Sequence, residues 1–209
     1  MNIIGITGPA GSGKDECAKV LVERFSFVRI ALADEMKRFL ARVYGWGPGR
    51  LWGPSEQRNL PDPDLGGLTA RKALQHLGTE WGRAMHENTW INLVIRDAHR
   101  IATQPVFYTP EEGLIEWFGR DGRDIYRSVV IPDVRFPNEV AAIHAVGGRV
   151  WRIDRPGAGL TGEAAAHASE TGIADLAVDG IIRNDRSLDD FQETVEQFAE
   201  IAGFKMVPR

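Results

Sequence analysis

A single cysteine, Cys17, occurs in the 209 residues, so no internal disulfide can form and the composition suits a reducing compartment. Long hydrophobic runs are also missing. The N-terminus is apolar only from Ile3 to Ile6 before it turns glycine-rich and charged, too short for a signal-peptide core, and no window approaches a membrane span. A cytoplasmic protein is expected. No pair of cysteines or histidines has metal-ligand spacing, which speaks against a zinc site. Nor is there an excess of positive charge: 25 Lys and Arg stand against 29 Asp and Glu, a net charge of −4. That balance speaks against a broad face for polymeric nucleic acid. What remains is an ordinary globular composition, 43% hydrophobic and 26% charged, without internal repeats. A chain of this length buries roughly 70% of its unfolded surface and needs no metal or disulfide to hold a core.

Apolar runs alternate with helical periodicity along the chain. Ile3–Thr7, Phe27–Ala31, Ser128–Ile131, Val150–Ile153 and Asp179–Ile182 read as five buried strands. Between them, Cys17, Val20, Leu21 and Phe25 recur at helical spacing, and Asp34 opens a second helix that stops at Gly45. Gly45–Gly67, rich in Gly and Pro, reads as a long functional or mobile loop. Thr69 caps a helix with Leu74, Leu77, Trp81 and Met85 on its apolar line, and a further helix spans Trp90–Ile101. Leu114–Arg127 reads as a hairpin turning at Asp121-Gly122. Pro137 starts a helix ended by Gly147-Gly148, and Ser187 caps the last one. Strands alternating with helices predict an α/β fold: three layers, a mostly parallel five-stranded sheet with helices on both faces, in one domain spanning 1–209. Ligands of such folds bind at the carboxyl ends of the strands.

Gly8-Pro9-Ala10-Gly11-Ser12-Gly13-Lys14-Asp15 lies between the first strand and the first helix. Glycines at this spacing let backbone N–H groups surround phosphate oxygens, the helix N-terminus adds positive potential, and Lys14 bridges the β- and γ-phosphates of ATP. Asp15 stands where Ser or Thr is usual. A carboxylate there is a hard oxygen donor for Mg²⁺, so strict Mg²⁺ dependence is expected. The run Val129–Asp133 is a hydrophobic strand ending in a second carboxylate suited to direct the ion. Arg135, two residues on, can fork onto a phosphate and neutralise charge that develops during transfer.

Asp133-Val134-Arg135-Phe136-Pro137-Asn138-Glu139, the Gly-Lys-Asp loop and Leu74–Arg83 together resemble the bacteriophage deoxynucleoside monophosphate kinases. Arg155-Pro156, His167-Ala168-Ser169-Glu170 and Ile182-Arg183-Asn184 match in order and approximate spacing, so the resemblance covers about residues 3–200. It implies a P-loop kinase fold and transfer of the ATP γ-phosphoryl to a deoxynucleoside 5′-monophosphate with Mg²⁺, in the host cytoplasm if phage-encoded. It also implies an acceptor region at 33–102, a lid at 155–172 and Asn184 near the adenine. Both partners are small molecules, and a homodimer stays open.

Arg71, Gln75, Thr79 and Arg83 follow at intervals of four, a polar helical stripe in which the arginines would reach the monophosphate and Gln75 a base edge. Asp34, Lys37, Glu139, His167, Ser169 and Glu170 complete the substrate-side candidates, with Trp81 and Trp46 as candidates for stacking on a base. Arg155 joins Lys14 and Arg135 around the transferring group. A kinase of another small acceptor, of the dephospho-coenzyme A or sugar-acid type, and a nucleotide-gated regulatory ATPase fit the same residues.

Overall fold

Each apolar run expected to be a strand divides its side chains between two faces, and the computed structural model, which describes residues 2–116, 127–159 and 172–207, shows what covers each. Strands β1 (Ile3–Thr7), β2 (Val28–Arg29), β7 (Val129–Ile131), β8 (Arg149–Asp154) and β9 (Gly180–Arg183) form one parallel sheet in the order β2-β7-β1-β8-β9. Ile3, Val129, Ile131 and Val150 face helices α6 (Thr89–Thr103) and α7 (Pro137–Ala145). Ile4, Ile6, Val130, Trp151 and Ile153 face α1 (Lys14–Phe25) and α8 (Leu188–Ile201). The result is the expected three layers, with the central strands β7 and β1 buried on both faces and the edge strands β2 and β9 partly exposed. β1 lies in the middle, so the carboxyl ends of β7, β1 and β8 meet at one edge.

The helix boundaries follow from local chemistry. Ser187 accepts from the N–H of Asp190, Thr69 accepts from Lys72, and Pro137 takes the first position of α7. Asp34 is the first residue of α2 (Asp34–Tyr44), and its carboxylate reaches back to the N–H of Ala31 at 3.0 Å.

Three expectations change. The 45–67 segment is not an open loop: it folds into one-turn helices α3 (Pro48–Leu51) and α4 (Ser55–Asn59), and β3 (Pro61–Asp62) pairs with β4 (Leu68–Thr69). Trp46 and Leu51, buried against Leu40, Ala70 and Ala73, give it a small core of its own, which short apolar residues scattered among Gly and Pro concealed. The helix after Thr69 begins as α5 (Ala70–Gln75) and then widens into a π-helical stretch from His76 to Arg83. Its glycines admit a close neighbour. Trp90 packs flat on Gly82, where a Cβ would meet the indole at 2.5 Å, and the Trp90 indole N–H donates to the Gly78 carbonyl at 2.9 Å. Finally, the hairpin that is seen pairs β5 (Val106–Thr109) with β6 (Gly113–Glu116), closed by Gly113 at φ 81°. The turn expected at Asp121-Gly122 lies outside the described residues. Among the described residues no helix is long and apolar enough to cross a membrane.

Candidate active site

The chain leaves β1 through a turn that only glycine can make. Gly8, Gly11 and Gly13 have φ of 141°, 76° and 107°. A Cβ on Gly8 would lie 2.5 Å from the Ile153 carbonyl oxygen, and one on Gly13 2.5 Å from Asn184 Nδ2, so contact and backbone conformation both close these positions to other residues. Gly13 is the N-cap of α1 and brings no side chain to the first turn, which leaves that turn open toward the loop. Asn184 Nδ2 donates to the Ser12 carbonyl at 2.8 Å, the Gly159 N–H to Ala10 at 2.9 Å, and Arg155 Nη1 to Gly11 at 3.4 Å. Lys14 Nζ donates to the carbonyls of Gly8 and Pro9, both at 2.6 Å, and so lies across the loop. Among the described residues the buried hydroxyls of Thr7 and Ser12 have no hydrogen-bond partner. Orphaned buried hydroxyls are uncommon, and these two sit at the foot of the loop and within it.

The two carboxylates singled out in the sequence, Asp15 and Asp133, sit in different environments. The Asp15 side chain is 86% exposed and faces Arg29 Nη2 at 3.4 Å. Asp133 sits at the end of β7, and its two oxygens accept the N–H groups of Leu32 (2.9 Å) and Ala33 (3.1 Å), tying β7 to the start of α2. Burial raises its pKa, the two N–H groups oppose that, and the charge of Asp34 adds to it. Each Asp133 oxygen keeps a second lone pair for a cation.

Asp34 is fully buried, with its oxygens taken up by Trp52 Nε1 (3.0 Å), the Tyr108 hydroxyl (2.9 Å) and Ala31 N–H. It joins α2, the 45–67 segment and the β5–β6 hairpin, so its oxygens serve the framework of the cleft. Lys37 lies 3.7 Å from Asp34, and burial lowers its pKa against the pull of Asp34 and Asp133. Arg71 and Arg83 meet different neighbours, and the winding between them widens to π-helical from His76 to Arg83. Arg71 donates to Ser55 Oγ and to Asn59 Oδ1 on α4. Arg83 stacks 3.7 Å over Phe136 and donates to Asn138 Oδ1 (3.0 Å), next to Arg135. Gln75 is half-buried at the end of α5. Trp81 is 53% exposed, its ring 6.3 Å from that of Trp90. Trp46, by contrast, is an anchor: it is buried, its Nε1 donates to Asp62 at 2.6 Å, and Arg50 covers its ring. Glu139 is buried too, and Oε2 accepts the N–H groups of Arg135 (2.7 Å) and Phe136 (3.0 Å). Burial lifts its pKa to about 7 against the pull of those N–H groups. Its observed contacts fix the backbone that carries Arg135. His167, Ser169 and Glu170 lie outside the described residues.

Sequence reasoning passed over Arg29, Arg58 and Tyr108. Arg29 ends a two-residue strand with no motif around it, and Arg58 lies in a segment read as loop. Nothing local marked either. It also gave no role to Arg183, which with Pro9, Asp154, Arg155, Pro156 and Asp185 lines a cavity of about 320 Å³ beside the loop.

No family model matches the chain. It is 29% identical over 196 residues to a protein of Acanthamoeba polyphaga mimivirus named "Putative deoxynucleotide monophosphate kinase", covering 93% of this chain and 94% of that one. It is also 28% identical over 160 residues to "Uncharacterized protein ORF76" of Ictalurid herpesvirus 1 (strain Auburn), covering 77% of this chain and 51% of that protein. The chain spans about half the length of the second relative.

Proposed function

We propose that the protein is a nucleotide kinase that transfers the γ-phosphoryl group of ATP to a deoxynucleoside 5′-monophosphate. One observation carries the reading: a glycine loop and helix N-terminus at the carboxyl end of the central strand, with Lys14 across it and Arg29 3.4 Å from Asp15 beside it. The name of the mimivirus protein, similar along almost the whole of both chains, supports a nucleotide kinase. The resemblance of Asp133–Glu139 and Leu74–Arg83 supports the deoxynucleoside monophosphate as acceptor.

The donor phosphates lie on the N–H groups of the loop, and the unsatisfied hydroxyls of Thr7 and Ser12 suit a site completed by its ligand. The cavity lined by Pro9, Arg155 and Arg183 takes the donor's base end, with Asn184 holding the loop beneath it. Lys14, Arg135 and Arg155 surround the transferring group, where fixed positive charge stabilises the spreading negative charge of a loose phosphoryl transition state. No strong general base is needed, because the attacking acceptor phosphate is already ionised at neutral pH. Positioning supplies the rest.

The residues present fit Mg²⁺. Asp15 and Asp133 bring hard oxygen donors to the loop, and burial beside Asp34 makes the charge of Asp133 costly without a cation nearby. Among the described residues no three metal-ligating side chains gather into a cage. An ion held by one or two carboxylates together with substrate phosphates matches that donor set. Bound there, Mg²⁺ supplies charge neutralisation to the phosphates. Lys37 and Arg71 on one side and Arg83 behind Arg135 frame the acceptor, with Gln75 and the exposed Trp81 along its base side.

Measuring ADP release from ATP-Mg with each deoxynucleoside and ribonucleoside monophosphate, dephospho-coenzyme A and a sugar acid tests this. The expected result is turnover that depends on a deoxynucleoside monophosphate. ATP hydrolysis indifferent to every acceptor would overturn it.

A further inference from the structure

Arg29 closes the short strand β2 at the edge of the sheet, in register with Val130 of β7. Val130 lies shortly before Asp133, and the chain running on from Arg29 brings the Leu32 and Ala33 N–H groups onto the Asp133 carboxylate. Arg29 therefore stands beside the strand end that carries one of the two carboxylates suited to Mg²⁺. Its guanidinium turns to the other: Nη2 donates to Asp15 Oδ1 at 3.4 Å, in the first turn of α1. Among the described residues this is the one hydrogen bond or ion pair that the guanidinium makes.

The pair does little for the fold. Its bond is long, the Asp15 side chain is 86% exposed, and an exposed ion pair contributes little stability in water. Its use lies in what Asp15 does to the loop. Serine or threonine at this position would be neutral. Asp15 instead puts a full negative charge directly after Lys14, on a glycine loop and helix start suited to receive phosphate. A carboxylate beside a di- or triphosphate repels it unless a cation offsets the charge. In the structure the cation on Asp15 is Arg29. The same charge acts on the second carboxylate: burial raises the pKa of Asp133, and Arg29 is among the groups that oppose this.

We propose that Arg29 is a built-in counter-ion for the loop aspartate: it offsets the charge of Asp15 when no metal is bound, so that a nucleoside diphosphate can occupy the loop without Mg²⁺, and it gives way at Asp15 once the ion is held there. The inference rests on the loop as a nucleotide site, which is part of the kinase reading above, and does not depend on the identity of the acceptor. Arg29 acts through Asp15 and is thus a positioning residue. Capture and transfer then part company: phosphoryl transfer requires Mg²⁺, and capture of the nucleotide does not. Two substitutions separate the charges. Arg29→Lys keeps the cation but gives it a compact, strongly hydrated head. Asp15→Asn keeps the shape of the side chain and removes the charge that needs an offset.

The test measures ADP binding to the full chain by calorimetry, once with Mg²⁺ and once in a chelator, with circular dichroism to check folding. Wild type should bind ADP in both. Arg29→Ala should weaken metal-free binding about tenfold or more and ADP-Mg binding less than about threefold, and Arg29→Lys should recover part of the metal-free loss. Asp15→Asn added to Arg29→Ala should restore metal-free binding, because no charge is left to offset. The counter-ion is overturned by a wild type that binds ADP only with Mg²⁺, or by metal-free binding within about twofold of wild type in folded Arg29→Ala. An equal loss with and without Mg²⁺ overturns it too. So does a double variant that is not restored, since Arg29 would then bond the phosphates itself. The kinase reading fails separately. Arg29-dependent metal-free ADP binding, in a protein that phosphorylates no monophosphate, would end that reading and leave the counter-ion standing. Turnover with a deoxynucleoside monophosphate, beside any of the overturning results, would do the reverse.

Discussion

On the kinase reading proposed above, the two walls of the site, one for the phosphate donor and one for the acceptor, are built on different principles. The donor wall runs from Gly8 to Asp15 with support from β7, β8 and Asn184, and its chemistry is main-chain geometry set by contiguous residues on buried parallel strands. The acceptor wall, from Asp34 to Arg83, is assembled from one-turn helices, a two-residue strand pair and a π-helical stretch around a small core of its own. Its proposed contacts come from side chains apart in sequence: Lys37, Arg71, Gln75 and Arg83. A loop whose function is its backbone leaves a spaced string of glycines. A wall whose function is converging side chains leaves no string at all.

The largest effect should come from the donor wall. Lys14→Ala removes a contact to the transferring group and should lower kcat by about two to three orders of magnitude with the fold intact, read by steady-state kinetics and circular dichroism. Near-wild-type turnover in the folded variant would remove the loop from the mechanism.

Arg135 follows Asp133 by two residues and is proposed to reach the transferring group, so it tests where the walls meet. Arg135→Ala should cost about 3 kcal/mol in kcat/KM for the monophosphate, roughly a hundredfold, while ATP affinity changes far less. Arg135→Lys keeps the charge without the fork and should restore only part. An equal loss toward ATP and monophosphate would erase the distinction between the walls at this residue.

How much could be read in advance follows the same division. The five parallel strands, the capping residues Thr69 and Ser187, and the glycine loop were legible because each depends on neighbours within a few positions. The 45–67 fold was not, since burial of Trp46 and Leu51 depends on Ala70 and Ala73, which arrive some twenty residues later. The Arg71–Arg83 stripe was misplaced for a related reason. Intervals of four align side chains only while the winding is α-helical, and from His76 to Arg83 it is π-helical.

A smaller effect should separate the walls in stability. Leu51 is fully buried in the acceptor wall's own core, and Leu51→Ala should cost about 2–5 kcal/mol locally. Hydrogen exchange should speed up in 45–77 while the β1 and β8 amides stay protected, and KM for the monophosphate should rise with little change for ATP. Uniform loss of protection would mean that the two walls open as one unit.

The smallest effect concerns Glu139, whose pKa rises from 4.5 to about 7 through burial. The folded chain keeps a proton that the unfolded chain has released, so this group's contribution to stability declines as pH rises from about 4.5 to 7 and is level above. Glu139→Gln preserves an oxygen for the Arg135 and Phe136 N–H groups and should flatten that decline, by no more than about 3 kcal/mol in all. Tm measured at pH 5 and pH 8 for both proteins checks it. Parallel shifts would assign the pH dependence to other groups.

The bond from Asn184 to the Ser12 carbonyl has a consequence for the birth of the protein. The residue that braces the loop leaves the ribosome 172 positions after it, and β1 has neither of its neighbours until residues 129–154 have been made. At ~5–20 residues per second, the loop is without its brace for roughly 10–30 s during synthesis. A nascent chain stalled before Asn184 should therefore hold nucleotide poorly even though every residue of the glycine motif is already in place.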